Sequence, residues 1–158
     1  MKAVILSFLL FVLCAAAYAQ ETRYSTTNEQ AIKHFALANE AMDENEFGVA
    51  ITELKQAISD DNKFIEAHLQ LGNLHSDQQK YAEAIPEYRR ALELNSDLAD
   101  AHYRLGQAYV HTGEKDKAQE QLQVYQKLRE QHLADLDKQR AEVRQFVYAA
   151  KDVQPGRP

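Results

Sequence analysis

The chain of 158 residues holds one cysteine, no tryptophan, three prolines and five glycines. A lone cysteine, Cys14, gives the fold no internal disulfide. Scarce glycine and proline, with no β-branched runs, point to an all-α protein. There is no Lys/Arg cluster, and 24 acids outnumber 18 bases for a formal charge of −6. Such a chain is a poor ligand for nucleic acid or an anionic membrane surface. No GxSxG, HExxH, phosphate-cradling glycine loop or cysteine nucleophile occurs. No catalytic residue, cofactor or metal is therefore expected.

The one long apolar run is N-terminal. Lys2 precedes an apolar stretch, Ala3–Leu13, and Ala17-Tyr18-Ala19 forms a small-x-small cleavage site. The stretch is short for a membrane span, which needs roughly 20 residues. The expectation is an exported chain, periplasmic or extracellular, cleaved after Ala19 and beginning at Gln20, with no membrane insertion afterwards. An uncleaved anchor is the alternative. Leu13 before Cys14 is too bulky for a lipobox. Cleavage would remove Lys2 and no acid, leaving 139 residues of charge −7, enough for one domain with a core.

What the mature chain has is repetition. Aligned on Gly72 and Gly106, three 34-residue units fall at 31–64, 65–98 and 99–132. Leu37, Leu71 and Leu105 share a column, as do Ala38, Gly72 and Gly106. Ala50, Ala84 and Ala118 share another, followed four residues on by Leu54, Tyr88 and Leu122. In each unit two apolar stripes at helical spacing flank a polar turn: Asp43–Glu46, Asp77–Lys80 and Thr112–Lys115. Small residues let paired helices approach, and Leu37, Leu71, Leu105, Phe47 and Tyr81 are expected to fill the space beside them.

These columns, with Leu71-Gly72, Tyr81-Ala82-Glu83-Ala84 and Ala91-Leu92-Glu93-Leu94-Asn95, resemble the tetratricopeptide repeat family. The sequence departs from that pattern where histidine replaces tryptophan, and where Asn62, Ser96 and Glu130 replace the closing proline. The resemblance implies a right-handed solenoid of three helix-turn-helix units with a C-terminal capping or extended helix. It also implies a non-enzymatic scaffold or adaptor of the cell envelope or secreted space, binding a protein or peptide partner.

At the ends, Thr26 and Thr27 are capping-box candidates, and residues 20–30 read as a mobile tail and helix cap. No glycine or proline occurs between Glu114 and Gln154, so the last helix is expected to run on through 133–151 before a disordered tail, 152–158. Its apolar stripe is broken, which favours capping of the last repeat over a projecting helix. A projecting helix would find a partner or pair with its own copy, a route to homo-dimerisation.

His34, His68 and His102 occupy one column and invite a metal reading. Stacked helices hold equivalent positions far beyond the ~2 Å Zn–N distance, so they read as flat side chains filling the aromatic space, as does His75. The alternative is an accessory metal-binding or enzymatic protein using these histidines.

The resemblance places partner contacts on the groove face of each first helix. Phe35, Leu69 and Tyr103 form an apolar ladder there, and Asn39, Asn73 and Gln107 a polar one. Gln70 and Arg104 lie between them. The family's clamp for chaperone C-terminal tails uses lysines that are absent here: its positions carry Phe35, Asn39, Gln70, Asp100 and Arg104. An acidic tail is not the expected ligand.

Overall fold

A computed structural model describes residues 24–152, with side chains through Phe146. The expected leader and its expected cleavage site, and the tail from residue 153, lie outside the described residues. Six helices follow one another: α1 (Glu29–Asp43), α2 (Phe47–Asp60), α3 (Ile65–Asp77), α4 (Tyr81–Leu94), α5 (Ala99–Thr112) and α6 (Lys115–Asp152). Among the described residues there is no strand, and no helix is long and apolar enough to cross a membrane.

The helices pair as hairpins, and the tight turns recur. In each turn one residue takes a left-handed conformation: Asn45 (φ 62°), Gln79 (φ 61°) and Gly113 (φ 85°), again 34 residues apart. Each turn closes by the same two bonds. The amides of Asn45, Gln79 and Gly113 donate to Met42, Ser76 and Val110. Those of Glu46, Lys80 and Glu114 reach back to Ala41, His75 and Tyr109. This pairing satisfies the carbonyls that a helix end leaves open. Only Gly113 adopts the conformation without Cβ strain.

Within each hairpin the small columns work as expected. Ala38, Ala50, Ala84 and Ala118 are buried, as are Gly72 and Gly106. A Cβ on Gly72 would stand 2.8 Å from Cε1 of Tyr88, and one on Gly106 2.9 Å from Cγ of Leu122. A bulky residue on the second helix therefore lies across a missing side chain on the first. Pro86 sits inside α4 without ending it, as its sixth residue, where its missing N–H costs one ladder bond.

The end repeats correct two expectations. Leu37 is 38 % exposed and Phe47 45 %, whereas Leu71 and Leu105 are buried. Leu71 packs into the cluster of the first repeat and Leu105 into that of the second. Leu37 has no earlier repeat among the described residues to cover it. Phe47 likewise lacks the aromatic neighbour that Tyr81 finds in His111, stacked at 4.0 Å.

Of the expected mobile tail, the described residues 24–28 are not loose. Tyr24 sets its ring edge-on to Phe35 and Phe64, with centroids 5.4 and 5.8 Å away. Ser25 binds Glu66 through its amide and hydroxyl, and its Oγ accepts from the Ile65 amide. Thr26 is buried. The helix cap is neither threonine but Asn28, whose Oδ1 accepts from the amides of Gln30 and Ala31. Its amide nitrogen also donates to the carbonyl of Asp60. Residues 24–28 thus clip the start of the first hairpin to the loop that enters the second.

The favoured capping helix is not formed. α6 continues unbroken to Asp152, and beyond Leu128 every described side chain except the half-buried Leu136 is exposed. The last repeat keeps an open face of Val110, Gln119 and Leu122, because the helix that would fold back onto it runs on instead.

Candidate functional site

The first helices α1, α3 and α5 line one groove of about 580 Å3. Of the eight residues expected there, Phe35, Leu69, Gln70, Asn73 and Arg104 line it, with Leu98 and Ala99, the cap and first residue of α5, adding apolar floor. Phe35 belongs to the core first: it is 7 % exposed and packs on Phe64 at 4.9 Å, so only an edge reaches the groove. Leu69 is half-buried against the second core cluster.

Tyr103 leaves the expected ladder. Its ring leans on Tyr125 of α6 at 5.1 Å, and its hydroxyl accepts from Gln107 Nε2. Phe35 and Leu69 lie beside Phe64 and Leu98, which return to the groove where the chain turns after α2 and α4. α6 makes no such turn, so Tyr103 lacks the equivalent cover.

The polar ladder is partly committed to the fold. Asn73 Oδ1 accepts from the Tyr88 hydroxyl at 2.9 Å, while Asn39 Oδ1 accepts a long 3.4 Å bond from Gln70. Burial pushes the Tyr88 phenol above its ordinary pKa. Arg104 is exposed and also lines a smaller recess of about 200 Å3 with Asp77, Tyr81, Tyr88, Gln107 and His111. In the groove it faces Glu66, Asp97 and Asp100, so negative charge predominates at this rim. One of the three acids, Glu66, is already held by Ser25.

The histidine column has a repeated role that the residues alone did not reveal. Nδ1 of His34, His68 and His102 meets Glu53, Glu87 and Gln121 at 2.6, 2.7 and 2.8 Å, always 19 residues on. Nε2 of His68 and His102 donates to the carbonyls of Asn62 and Ser96. Each ring therefore ties a first helix to its second, and those of His68 and His102 also bind the loop that precedes their helix. The signal was present, since Glu53, Glu87 and Gln121 are themselves 34 residues apart. His75 is different: burial holds its pKa below the ordinary value, and Glu83 at 3.3 Å is not aligned to bond its Nδ1. Among the described residues no group of three or more His, Cys, Asp or Glu side chains could hold a metal ion.

Three stacked helical hairpins with a groove along their first helices define a helical-repeat solenoid. Residues 72–113 match the family model described as TPR repeat, and residues 100–132 that described as Tetratricopeptide repeat. Together with the fold, these matches support the tetratricopeptide repeat family. A crystal structure of MamA is similar at TM-score 0.64 and 20 % identity, over 68 % of this chain and 63 % of that one. The chain thus spans less than two thirds of the MamA chain. The second TPR of Spaghetti (RPAP3), bound to the HSP90 peptide SRMEEVD, is similar at 0.60 and 23 %, over 64 % and 94 %. The second TPR domain of human RPAP3, in complex with the HSP70 peptide SGPTIEEVD, is similar at 0.59 and 23 %, over 63 % and 82 %. Comparison with curated proteins found no match.

Proposed function

We propose that this chain is an exported, non-enzymatic interaction scaffold that holds an extended segment of a protein partner between its first helices. The carrying observation is the groove, in which the Phe35 edge, Leu69 and Leu98 make an apolar floor beside the amide of Gln70 and the guanidinium of Arg104. Apolar floor desolvates a ligand's own apolar side chains, and amide and guanidinium groups satisfy its backbone. Similar folds occur bound to peptides ending in Glu-Glu-Val-Asp. The ligand chemistry differs here, because Asp97 and Asp100 stand at the rim and the lining holds no lysine. An apolar segment with neutral or basic flanks suits it better than an acidic tail.

The test is capture of a partner by the mature chain, followed by titration with variants. Arg104→Ala is expected to weaken binding by about 1–2 kcal/mol while the melting temperature holds, since the side chain is exposed. Tyr103→Ala, turned toward α6, should leave affinity unchanged. Binding that survives Arg104→Ala but is lost on truncation after His132 would move the interface to the last helix.

Export rests on Lys2, the Ala3–Leu13 run and the Ala17-Tyr18-Ala19 site. Intact mass of material from the cell envelope or medium should give a chain starting at Gln20. A lipid on Cys14, or a retained leader, would refute that processing.

A further inference from the structure

The groove and the repeat core leave one long surface unused: the part of α6 beyond Leu128. Residues 129–152 extend the helix by about 35 Å at 1.5 Å per residue, and no other helix covers their described side chains. On this stretch Leu133 is 50 % exposed, Val143 62 % and Phe146 75 %. Leu133, Leu136, Arg140 and Val143 follow a 3-4-3 spacing, the seam of a two-helix pair with one polar position. A helix this exposed draws little stability from intrinsic propensity alone, so an apolar stripe along it calls for a covering surface.

Its charges say which surface. Glu130, Asp135 and Asp137 lie in the first half, with Arg129 as the one base among them, and Lys138, Arg140 and Arg144 lie in the second, with Glu142 as the one acid among those bases. Within one chain these groups do little for each other: the Asp137–Arg140 pair is 3.5 Å apart and largely exposed to solvent. Laid against a second copy in the same direction, acids would face acids and bases bases. Laid antiparallel, acidic half meets basic half, Leu133 comes level with Val143, and Leu136 with the aliphatic stem of Arg140. The antiparallel arrangement also sends the two repeat stacks to opposite ends, where they cannot collide.

We infer that the projecting part of α6 is a self-association surface, on which a second copy of this chain pairs antiparallel through residues 129–146. The pairing is independent of what the groove holds, and it leaves both grooves free.

Sedimentation equilibrium of the mature chain tests it. The expected mass rises from that of one chain at low concentration to that of two at high concentration. Leu133→Asp combined with Val143→Asp should hold the monomer mass throughout while leaving the thermal melt of the repeats in place, because both side chains are solvent-facing. Orientation is read from single cysteines placed on the seam by Leu133→Cys and Val143→Cys in a chain lacking Cys14. Oxidising a mixture of the two variants should give chiefly the 133–143 disulfide, since only facing seam positions come close enough to bridge. A monomer mass at every concentration, a dimer unaffected by the double aspartate variant, or disulfides joining 133 to 133 would each overturn the inference.

Discussion

Tyr88→Ala is expected to lower the free energy of unfolding by about 3–5 kcal/mol, the cost of deleting a fully buried aromatic ring. The ring is 0 % exposed and lies across Gly72. Its hydroxyl joins Asn73 and Ser76 at 2.9 and 3.1 Å. Two losses combine: the cavity over Gly72, and the bonds that hold the middle of α3 to α4. Tyr88→Phe separates them, because it keeps the packing and gives up only the hydroxyl, at about 1 kcal/mol. Urea unfolding of both variants is the measurement. Equal losses for the two would mean that the hydroxyl network, not the ring, holds the second repeat together.

The converse substitution fills the same space. Gly72→Leu should destabilise at the upper end of the ~1–3 kcal/mol typical of overpacking, or beyond it. Even alanine, favoured over glycine in a helix by about 1 kcal/mol, would set its Cβ 2.8 Å from a ring that its own hydrogen bonds hold in place. Gly106→Leu should cost less, within that ~1–3 kcal/mol range. The obstacle there is Leu122, half-buried beside the open face of the last repeat, and it has room to turn away. Gln119→Leu is the control. It occupies the column of Ile51 and Ile85 but is exposed, so its effect should be close to nil. Thermal melts ranking Gln119→Leu below Gly72→Leu would mean that the three repeats are aligned in the wrong register.

The periodic part of the fold was readable from residues, because every hairpin meets its neighbour in the same way. Columns 34 residues apart located the turns and the small-against-large contacts of Gly72 with Tyr88 and Gly106 with Leu122. Periodicity says nothing where a neighbour is missing. Leu37 shares its column with Leu71 yet stays open, because no earlier repeat among the described residues covers it. Phe35 shares its column with Tyr103, yet one is buried under Tyr24 and Phe64 while the other leans on Tyr125. The contact of Ser25 with Glu66 spans 41 residues and lies outside any repeat column, so no local pattern signals it. Of the groove, the apolar and amide positions were legible from the family's columns. That Asn73 also secures Tyr88 was not, since it depends on which side of α3 the phenol reaches.

The clip formed by residues 24–28 makes the two ends of the stack unequal. In an array of repeats each unit is held only by its neighbours, so loss of order starts wherever a terminal unit is least secured. At the first hairpin, Tyr24, Ser25 and Asn28 tie the leading edge to Phe64, Glu66 and Asp60. At the third, Val110 and Leu122 meet solvent, and no described segment crosses back. Unravelling should therefore proceed from the C-terminal hairpin towards the first. Amide hydrogen exchange would then be slowest in α1 to α4 and faster in α5, and the opposite gradient would contradict this order. A five-residue segment ahead of the first repeat thus gives the array a direction of unfolding.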